Sequence, residues 1–185
     1  MPVEAMPYWE GCDLPTNGRI VEARARWDNQ ELATDYDRAG DAWDSPCGEV
    51  FPVGELTAYV PTGGQQIAVF EPRRPSEQLL IEIWAWDEDL TDEAFWKVAC
   101  EEADKRDMSE WRLLGEMHCP SGEVWGFHAA YSGKEVLEDS DGQLETPVCF
   151  RLTPGTYQLL YCEWRYEKWD EKNGFIWMRR KEEEN

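Results

Sequence analysis

Apolar and polar positions alternate over much of this chain, which predicts a protein built mainly from β-strands. In residues 19–27, Val21, Ala23, Ala25 and Trp27 share one face while charged side chains share the other, as expected of a half-buried strand. The same pattern, with turn signals between the segments, predicts further strands over 67–71, 79–86, 111–119, 123–131, 148–152, 156–172 and 175–180.

The segment 79–86 is the most apolar of these predicted strands. Its odd-numbered positions, beginning with Leu79, carry the side chains of a core face, whereas its even-numbered positions include Glu82, Trp84 and Trp86. Because successive side chains of a strand point to opposite faces, the even-numbered face is predicted to be an aromatic and acidic surface if no helix covers it.

A hairpin is predicted around the Pro-Ser-Gly loop 120–122, with strands over 111–119 and 123–131. This pairing would place the two histidines of the chain, His118 and His128, on one face but roughly 13 Å apart. Since that distance is too long for both rings to bind one metal ion, both histidines are predicted to be structural.

A second hairpin is predicted at Asn173-Gly174, the strongest short turn signal in the chain. A two-residue loop at this dipeptide would join the strands 156–172 and 175–180. The resulting register places Trp169 opposite Met178.

One amphipathic helix is predicted over 89–106. Thr91 is positioned to cap its N-terminus, and its apolar stripe consists of Phe95, Val98, Ala99 and Ala103. Residues 28–66, in contrast, have poor periodicity and many acidic residues, Gly and Pro. They are predicted to form an acidic, loop-rich segment, with a short helix near 30–38.

These elements predict a mainly β, α+β fold. The expected architecture is an antiparallel β-sandwich or curved sheet of about seven to eight strands with one amphipathic helix packed on it. A chain of 185 residues is expected to form a single domain over 1–185. Residues 181–185 are predicted to be a frayed tail.

The net charge of the chain indicates more about its function than any motif does. The chain has 39 Asp and Glu against 18 Lys and Arg, a formal net charge of −21, and it also has 11 Trp. Because disordered acidic tails are poor in aromatic residues, we expect a folded core with the charge on its surface. Such a surface repels nucleic acid and anionic membranes and attracts cationic partners.

No motif in the chain predicts catalysis. The six cysteines contain no C-x-x-C pair, and a chain of this size needs no disulfides, so we expect reduced, mostly buried thiols. The acidic segment 138–145 resembles part of an EF-hand loop, but Leu137 and Val148 occupy two positions that would have to bind calcium. We therefore predict no enzyme activity, no metal site and no cofactor. A calcium site around 87–92 is an alternative.

In size, acidity and lack of catalytic motifs, the chain resembles bacterial immunity proteins, although no residue motif carries the likeness. The resemblance implies an antitoxin-like protein that occludes the active site of a basic toxin or nuclease domain. Alternatives are a nucleic-acid mimic of the kind phages carry, and a β-sandwich that binds carbohydrate or Ca²⁺. The absence of a leader or a membrane-length apolar run predicts a cytoplasmic protein. The predicted partner-binding residues are Asp35, Asp37, Asp41, Asp44, Glu82, Trp84, Trp86, Asp87 and Asp89.

Overall fold

The computed structural model describes residues 1–12, 34–43, 45, 47–61, 66–69, 77–83, 93–139, 142–144, 147–165 and 172–181. Within these ranges every paired strand is antiparallel, and the predicted mainly β, α+β fold is confirmed. The strand predicted over 19–27 lies outside the described residues.

The strands are β1 (Glu49–Val53), β2 (Leu56–Val60), β3 (Gln66–Val69), β4 (Glu77–Ile83), β5 (Arg112–Cys119), β6 (Glu123–Gly126), β7 (Val148–Arg151), β8 (Gly155–Arg165) and β9 (Lys172–Arg180). The helices are α1 (Asp35–Trp43), α2 (Glu93–Lys105) and α3 (Gly133–Glu138), and 3-10 turns span Val3–Tyr8 and Met108–Glu110.

A five-stranded sheet in the order β3-β4-β9-β8-β5 forms the centre of the fold. Helix α2 packs on one of its faces, where Ala99 joins an apolar cluster that includes Ile81 and Phe175. The amphipathic helix predicted over 89–106 is thus confirmed over the range of α2. Its predicted cap, Thr91, lies outside the described residues.

The opposite face of the central sheet is buried under two small two-stranded sheets, β1–β2 and β6–β7. Leu80 and Met178 belong to an apolar cluster on this face, to which β6 contributes Val124 and β1 contributes the half-buried Val50. Leu80 is only 7% exposed. The prediction that the even-numbered positions of 79–86 face outward is therefore wrong at Leu80, because a second layer of chain packs on the sheet there.

A third apolar cluster lies where the N-terminal segment meets α1 and the β1–β2 hairpin. Trp9, Ala39 and Ala58 are all buried in it. The hairpin turns at Gly54, whose φ of 61° is a conformation that glycine adopts without steric cost. The loop-rich prediction for 28–66 is therefore wrong over β1 and β2, whereas the short helix predicted near 30–38 agrees in part with α1, which begins at Asp35. The apolar positions of these elements have a third cluster to pack into, which the poor periodicity of the segment did not reveal.

The register of β8 against β9 differs from the predicted one. Met178 lies opposite Leu159 rather than Trp169, and the connection falls within 166–171, outside the described residues. The predicted turn residue Gly174 lies inside β9. Each of Leu159 and Met178 is only 1% exposed, so burial of apolar side chains outweighs the local turn preference in setting the register.

Strands β5 and β6 do not form the predicted hairpin. β5 pairs with β8 at the edge of the central sheet, whereas β6 pairs with β7. Gly122 lies between them with φ of 78°, and a Cβ at this position would collide with the carbonyl group of Leu152. The chain therefore leaves one sheet and enters another here, and His118 lies opposite Thr156 of β8.

Both ends of the described chain are tied to strands. The Met1 amine donates to the Trp125 carbonyl at 2.7 Å, and the Trp125 amide donates to the Met1 carbonyl at 2.8 Å. Near the other end, the Lys181 amide donates to the Thr156 carbonyl at 2.8 Å, and its ammonium group pairs with Glu116 at 2.9 Å. Lys181 is therefore not part of a frayed tail, and the residues after it lie outside the described ranges.

Candidate acidic interface

Carboxylates lie on the surface of the described chain almost without exception. Among the Asp and Glu side chains that the structure describes, only Asp35 is buried, at 1% exposure. This distribution agrees with the expectation of an acidic surface around an aromatic core. Basic side chains that pair with carboxylates in the described ranges are Arg38, Lys105, Arg106, Arg151 and Lys181.

The predicted contact residue Asp37 is built into the start of α1. Its carboxylate accepts the Thr34 amide hydrogen at 2.7 Å and the Thr34 hydroxyl at 2.9 Å, while the Thr34 oxygen accepts the Asp37 amide at 3.1 Å. This reciprocal pair is a capping box, which satisfies backbone donors that the helix itself leaves unpaired. The half-buried Asp37 carboxylate is therefore already engaged by the fold.

Asp35 has a structural position of its own. Its carboxylate accepts the Glu10 amide at 2.8 Å and pairs with the Arg38 guanidinium at 2.9 Å. Arg38 also donates to the Pro52 carbonyl and lies 4.8 Å from the centroid of the Phe51 ring. Asp35 thus joins the N-terminal segment, α1 and β1 through one buried carboxylate.

Burial raises the pKa of the Asp35 carboxyl, although the Glu10 amide and the Arg38 guanidinium act in the opposite direction. A side chain with 1% exposure offers no area to a partner. Asp35 is therefore not part of the predicted partner surface. Its carboxylate stabilises contacts within the protein and cannot contact a partner.

The remaining predicted contact residues divide into two groups. Asp41 lies in α1, and Glu82 lies in β4 opposite Gly174 of β9. The aromatic and acidic surface predicted beyond Leu80 stays a prediction, because most of its residues lie outside the described residues. The members that lie outside the described residues are Asp44, Trp84, Trp86, Asp87 and Asp89.

A discrete acidic surface occurs where α2 ends and the 3-10 turn Met108–Glu110 follows. Its four exposed carboxylates, named here the α2 acidic end, are Glu101, Asp104, Asp107 and Glu110. Met108 is 47% exposed within the same segment. An apolar side chain among carboxylates is suited to a partner surface that is basic but partly apolar, since methionine is enriched in protein interfaces.

Hydrogen bonds fix the geometry of the α2 acidic end. The Asp107 carboxylate accepts the Ser109 amide and the Glu110 carboxylate accepts the Asp107 amide, both at 2.9 Å, in a second capping box. Arg106 lies between Glu110 at 3.0 Å and Glu102 at 3.9 Å. The Ser109 amide lowers the pKa of Asp107, and the Asp107 amide lowers the pKa of Glu110. Both carboxylates are therefore ionised at neutral pH.

Trp111 anchors this segment to the core. Its ring lies 5.4 Å from the Trp177 ring and 6.4 Å from the Phe175 ring, and it packs against the cluster beneath α2. The carboxylates are thus presented by a helix and an anchored turn. A surface held in this way loses little conformational entropy on binding, which favours affinity.

Groups that could carry nucleophilic or metal chemistry are scattered. His118 Nδ1 lies 3.1 Å from the Thr156 hydroxyl, and His128 Nδ1 accepts the Ala130 amide at 3.3 Å. In the part of the chain that the structure describes, no three His, Cys, Asp or Glu side chains meet as a metal-binding group.

The six cysteines all fall within the described ranges, and none of them forms a disulfide. Three are buried, one is partly buried and two are exposed, so fewer are buried than predicted. Burial raises the pKa of Cys119 to about 12. Because the thiolate is the reactive form of cysteine, this thiol is poorly suited to act as a nucleophile.

The structural roles of Asp35 and Asp37 were missed at the level of sequence, although a signal for them was present. Residues 34–37 and 107–110 each begin with Thr or Asp and have an acidic residue three positions later. That spacing is typical of a capping box. It indicates that the last carboxylate of each segment binds backbone amide groups as well as facing solvent.

No protein-family model, curated protein or solved structure matches this chain. Within the described residues, no helix is both long enough and apolar enough to cross a membrane. Any function must therefore be argued from the charge, the exposure and the geometry of the chain itself.

Proposed function

We propose that this protein is an acidic binding protein that neutralises a basic protein partner, in the manner of bacterial immunity proteins. The main support is the net charge of −21 together with the surface position of every described carboxylate except Asp35. A net charge of magnitude about 2–8 is enough to keep a small domain soluble. The excess repels itself, and a cationic partner would offset that repulsion.

In this proposal, electrostatic attraction brings the partner in quickly, with association rate constants of up to about 10⁸–10⁹ M⁻¹ s⁻¹ at low salt. The α2 acidic end supplies fixed carboxylates, and Met108 supplies an apolar contact. Trp84, Trp86, Asp87 and Asp89, which lie outside the described residues, are proposed from the sequence as further contacts. The bound protein excludes substrate from a cationic cleft, and so it needs no catalytic group of its own.

The test uses the purified basic protein encoded by the neighbouring gene, first by co-expression and then by calorimetry. We expect co-expression to restore the growth of cells that this neighbour inhibits. We also expect the Kd to rise at least about tenfold between 50 and 500 mM salt, since salt screens exposed charges. An affinity that is the same at both salt concentrations would contradict the proposal.

Two matched double variants test whether the α2 acidic end is the contact surface. E101K/D104K and E49K/E55K each change two exposed acids to Lys, so each raises the net charge from −21 to −17, by two steps of +2. We expect E101K/D104K to weaken binding at least about tenfold, and E49K/E55K to weaken it less than about threefold. Equal losses would show that net charge alone, and not this surface, determines binding.

A further inference from the structure

Strand β7 lies at the edge of the small β6–β7 sheet, and its ladder partners show which backbone groups it leaves unpaired. Trp125 of β6 exchanges both of its backbone hydrogen bonds with Met1, on the side away from β7. Cys149 lies directly opposite Trp125. In an antiparallel pair such residues form a non-hydrogen-bonded pair, and both direct their N–H and C=O groups outward.

The same alternation applies two residues further along β7. Arg151 lies opposite Glu123, in the next non-hydrogen-bonded position, while Leu152 donates to the Gly122 carbonyl at 2.7 Å. Cys149 and Arg151 therefore present two N–H and two C=O groups along the free edge of β7. Among the described residues, no strand pairs with this edge and no group hydrogen-bonds to these outward groups.

Three of the four side chains of β7 are exposed as well. Val148 is 41% exposed, Cys149 is exposed, and the Arg151 side chain is 82% exposed. Natural sheets block free edges with charged side chains. Here the Arg151 guanidinium lies 3.3 Å from Glu123 of β6, the residue opposite it in the ladder, and not alone at the edge.

We propose that the edge of β7 binds an extended, basic segment of the partner protein as an added β-strand. This inference rests on the function proposed above and specifies how the partner is held. Edge addition is an established mode of peptide recognition, in which main-chain hydrogen bonds supply affinity.

Charge favours a basic segment over a second copy of this chain. Two copies would bring together two surfaces of −21 each, and like charges in contact oppose association. The stretch 135–147, which leads into β7, has no Lys or Arg but carries five acids: Glu135, Glu138, Asp139, Asp141 and Glu145. A Lys- or Arg-rich strand therefore complements the charge of the sequence next to β7 better than an acidic strand does.

The binding probe is an acetylated and amidated nine-residue peptide of alternating lysine and valine, added to the full chain. Backbone hydrogen exchange is followed by NMR in the free and bound states. We expect the amides of Cys149 and Arg151 to exchange at least about tenfold more slowly when the peptide is bound. The peptide begins and ends with valine, so a control with proline in place of its central valine keeps all four lysines but cannot form the ladder, and it should give no protection.

A matched pair of variants tests the same edge by affinity. Cys149→Pro removes an outward N–H group that β6 does not use, and edge positions of this kind tolerate proline. We expect Cys149→Pro to weaken binding of the alternating peptide at least tenfold, while Cys149→Ala leaves the affinity within twofold of wild type. The exchange measurement on the wild-type chain needs no variant, so the test stands even if Cys149→Pro fails to fold.

The outcomes separate this inference from the function on which it rests. In one outcome the alternating and proline peptides bind equally and in a salt-dependent way, and the β7 amides are not protected. That result would contradict strand addition at β7 and would still agree with the acidic binding function. If neither peptide binds at any salt concentration, both proposals fail. A dimer in sedimentation equilibrium that Cys149→Pro abolishes would show that a second copy occupies the edge, and would overturn the inference.

Discussion

The start of α1 and the end of α2 are both acidic and both contain a capping box, yet the fold buries a carboxylate at the first and exposes the carboxylates of the second. At the start of α1, Asp35 is buried against Arg38 and Asp37 closes a capping box. At the end of α2, the carboxylates of Glu101 and Asp107 are exposed. The first group holds three parts of the chain together, and the second is available to a partner.

This contrast shows that the density of acidic residues does not identify an interface. Asp35 of α1 is buried next to the third apolar cluster, to which Ala39 of the same helix belongs, so its carboxylate needs a partner inside the protein. The turn after α2 is anchored to the core by Trp111, and Asp107 and Glu110 in that turn are exposed. Packing against a core, and not the charge of the segment, decides which acids are exposed.

The largest expected effect is that of Asp35→Ala on stability. Removing the carboxylate leaves Arg38 and the Glu10 amide without their buried partner, and breaking a buried ion pair costs about 3 kcal/mol. Chemical denaturation should show this loss in the free energy of unfolding. Glu101→Ala, the exposed control at the end of α2, should change it by no more than about 0.5 kcal/mol.

The double substitution Asp35→Leu with Arg38→Met completes this test. Replacing both charges by apolar side chains should recover most of the stability that Asp35→Ala loses, because no unpaired buried charge is left. If Asp35→Ala costs no more than Glu101→Ala, the contrast between the two regions is wrong.

A smaller effect is expected at the cap of α1. Thr34→Ala removes the hydroxyl that accepts the Asp37 amide, and loss of such a cap costs about 1 kcal/mol. Thr34→Ser keeps a hydroxyl and should retain most of the stability. Thermal unfolding of the three proteins, followed by circular dichroism, measures the difference, and equal midpoints for all three would show that the cap contributes nothing.

The smallest expected effect is a difference in titration between Asp35 and Asp107. Burial raises the pKa of Asp35 above its ordinary 3.8, whereas the Ser109 amide lowers the pKa of Asp107 below 3.8. Carbon-13 NMR of the side-chain carboxyls as a function of pH should give the two values in that order. The opposite order would show that the Arg38 pair outweighs burial at Asp35.

The two shifts have opposite consequences for stability as the pH changes. Asp35 takes up its proton in the folded state before the unfolded chain does, so its contribution to stability increases as the pH falls through its native pKa. The contribution of Asp107 is present above 3.8 and is lost as the pH falls through its lowered native pKa.

Much of the fold could be predicted because it depends on local pattern. The alternation of Leu79 and Ile81 in β4 identifies a face that is buried in the structure. The apolar stripe of α2 is buried at Ala99 and Ala103, although Val98 is 37% exposed. The alternation pattern did not predict the burial of a strand that is covered on both faces. Leu80 is buried as well, because β4 is an inner strand with a helix on one face and a second layer of strands on the other.

The candidate site could be predicted only in part. An acidic surface was expected from the composition, but the predicted contact residues include none of the α2 acidic end, Asp35 was misassigned, and the outward groups of β7 were not anticipated. Cys149 and Arg151 belong to a four-residue strand whose partner lies more than 20 positions earlier in the chain. Local pattern contains no information about which of its backbone groups remain unpaired.

By itself, the sequence determined that this is a mainly β protein with one amphipathic helix on a sheet and a strongly acidic surface. Periodicity depends only on residues that are close in the chain, and net charge depends only on composition, so neither requires the tertiary structure. Only the tertiary structure decided that β5 and β6 belong to different sheets, that Met178 faces Leu159, and that Asp35 is buried while Glu101 is exposed. These outcomes depend on which distant segments supply apolar area and hydrogen-bond partners, and long-range burial outweighs local turn and charge preferences when the two compete.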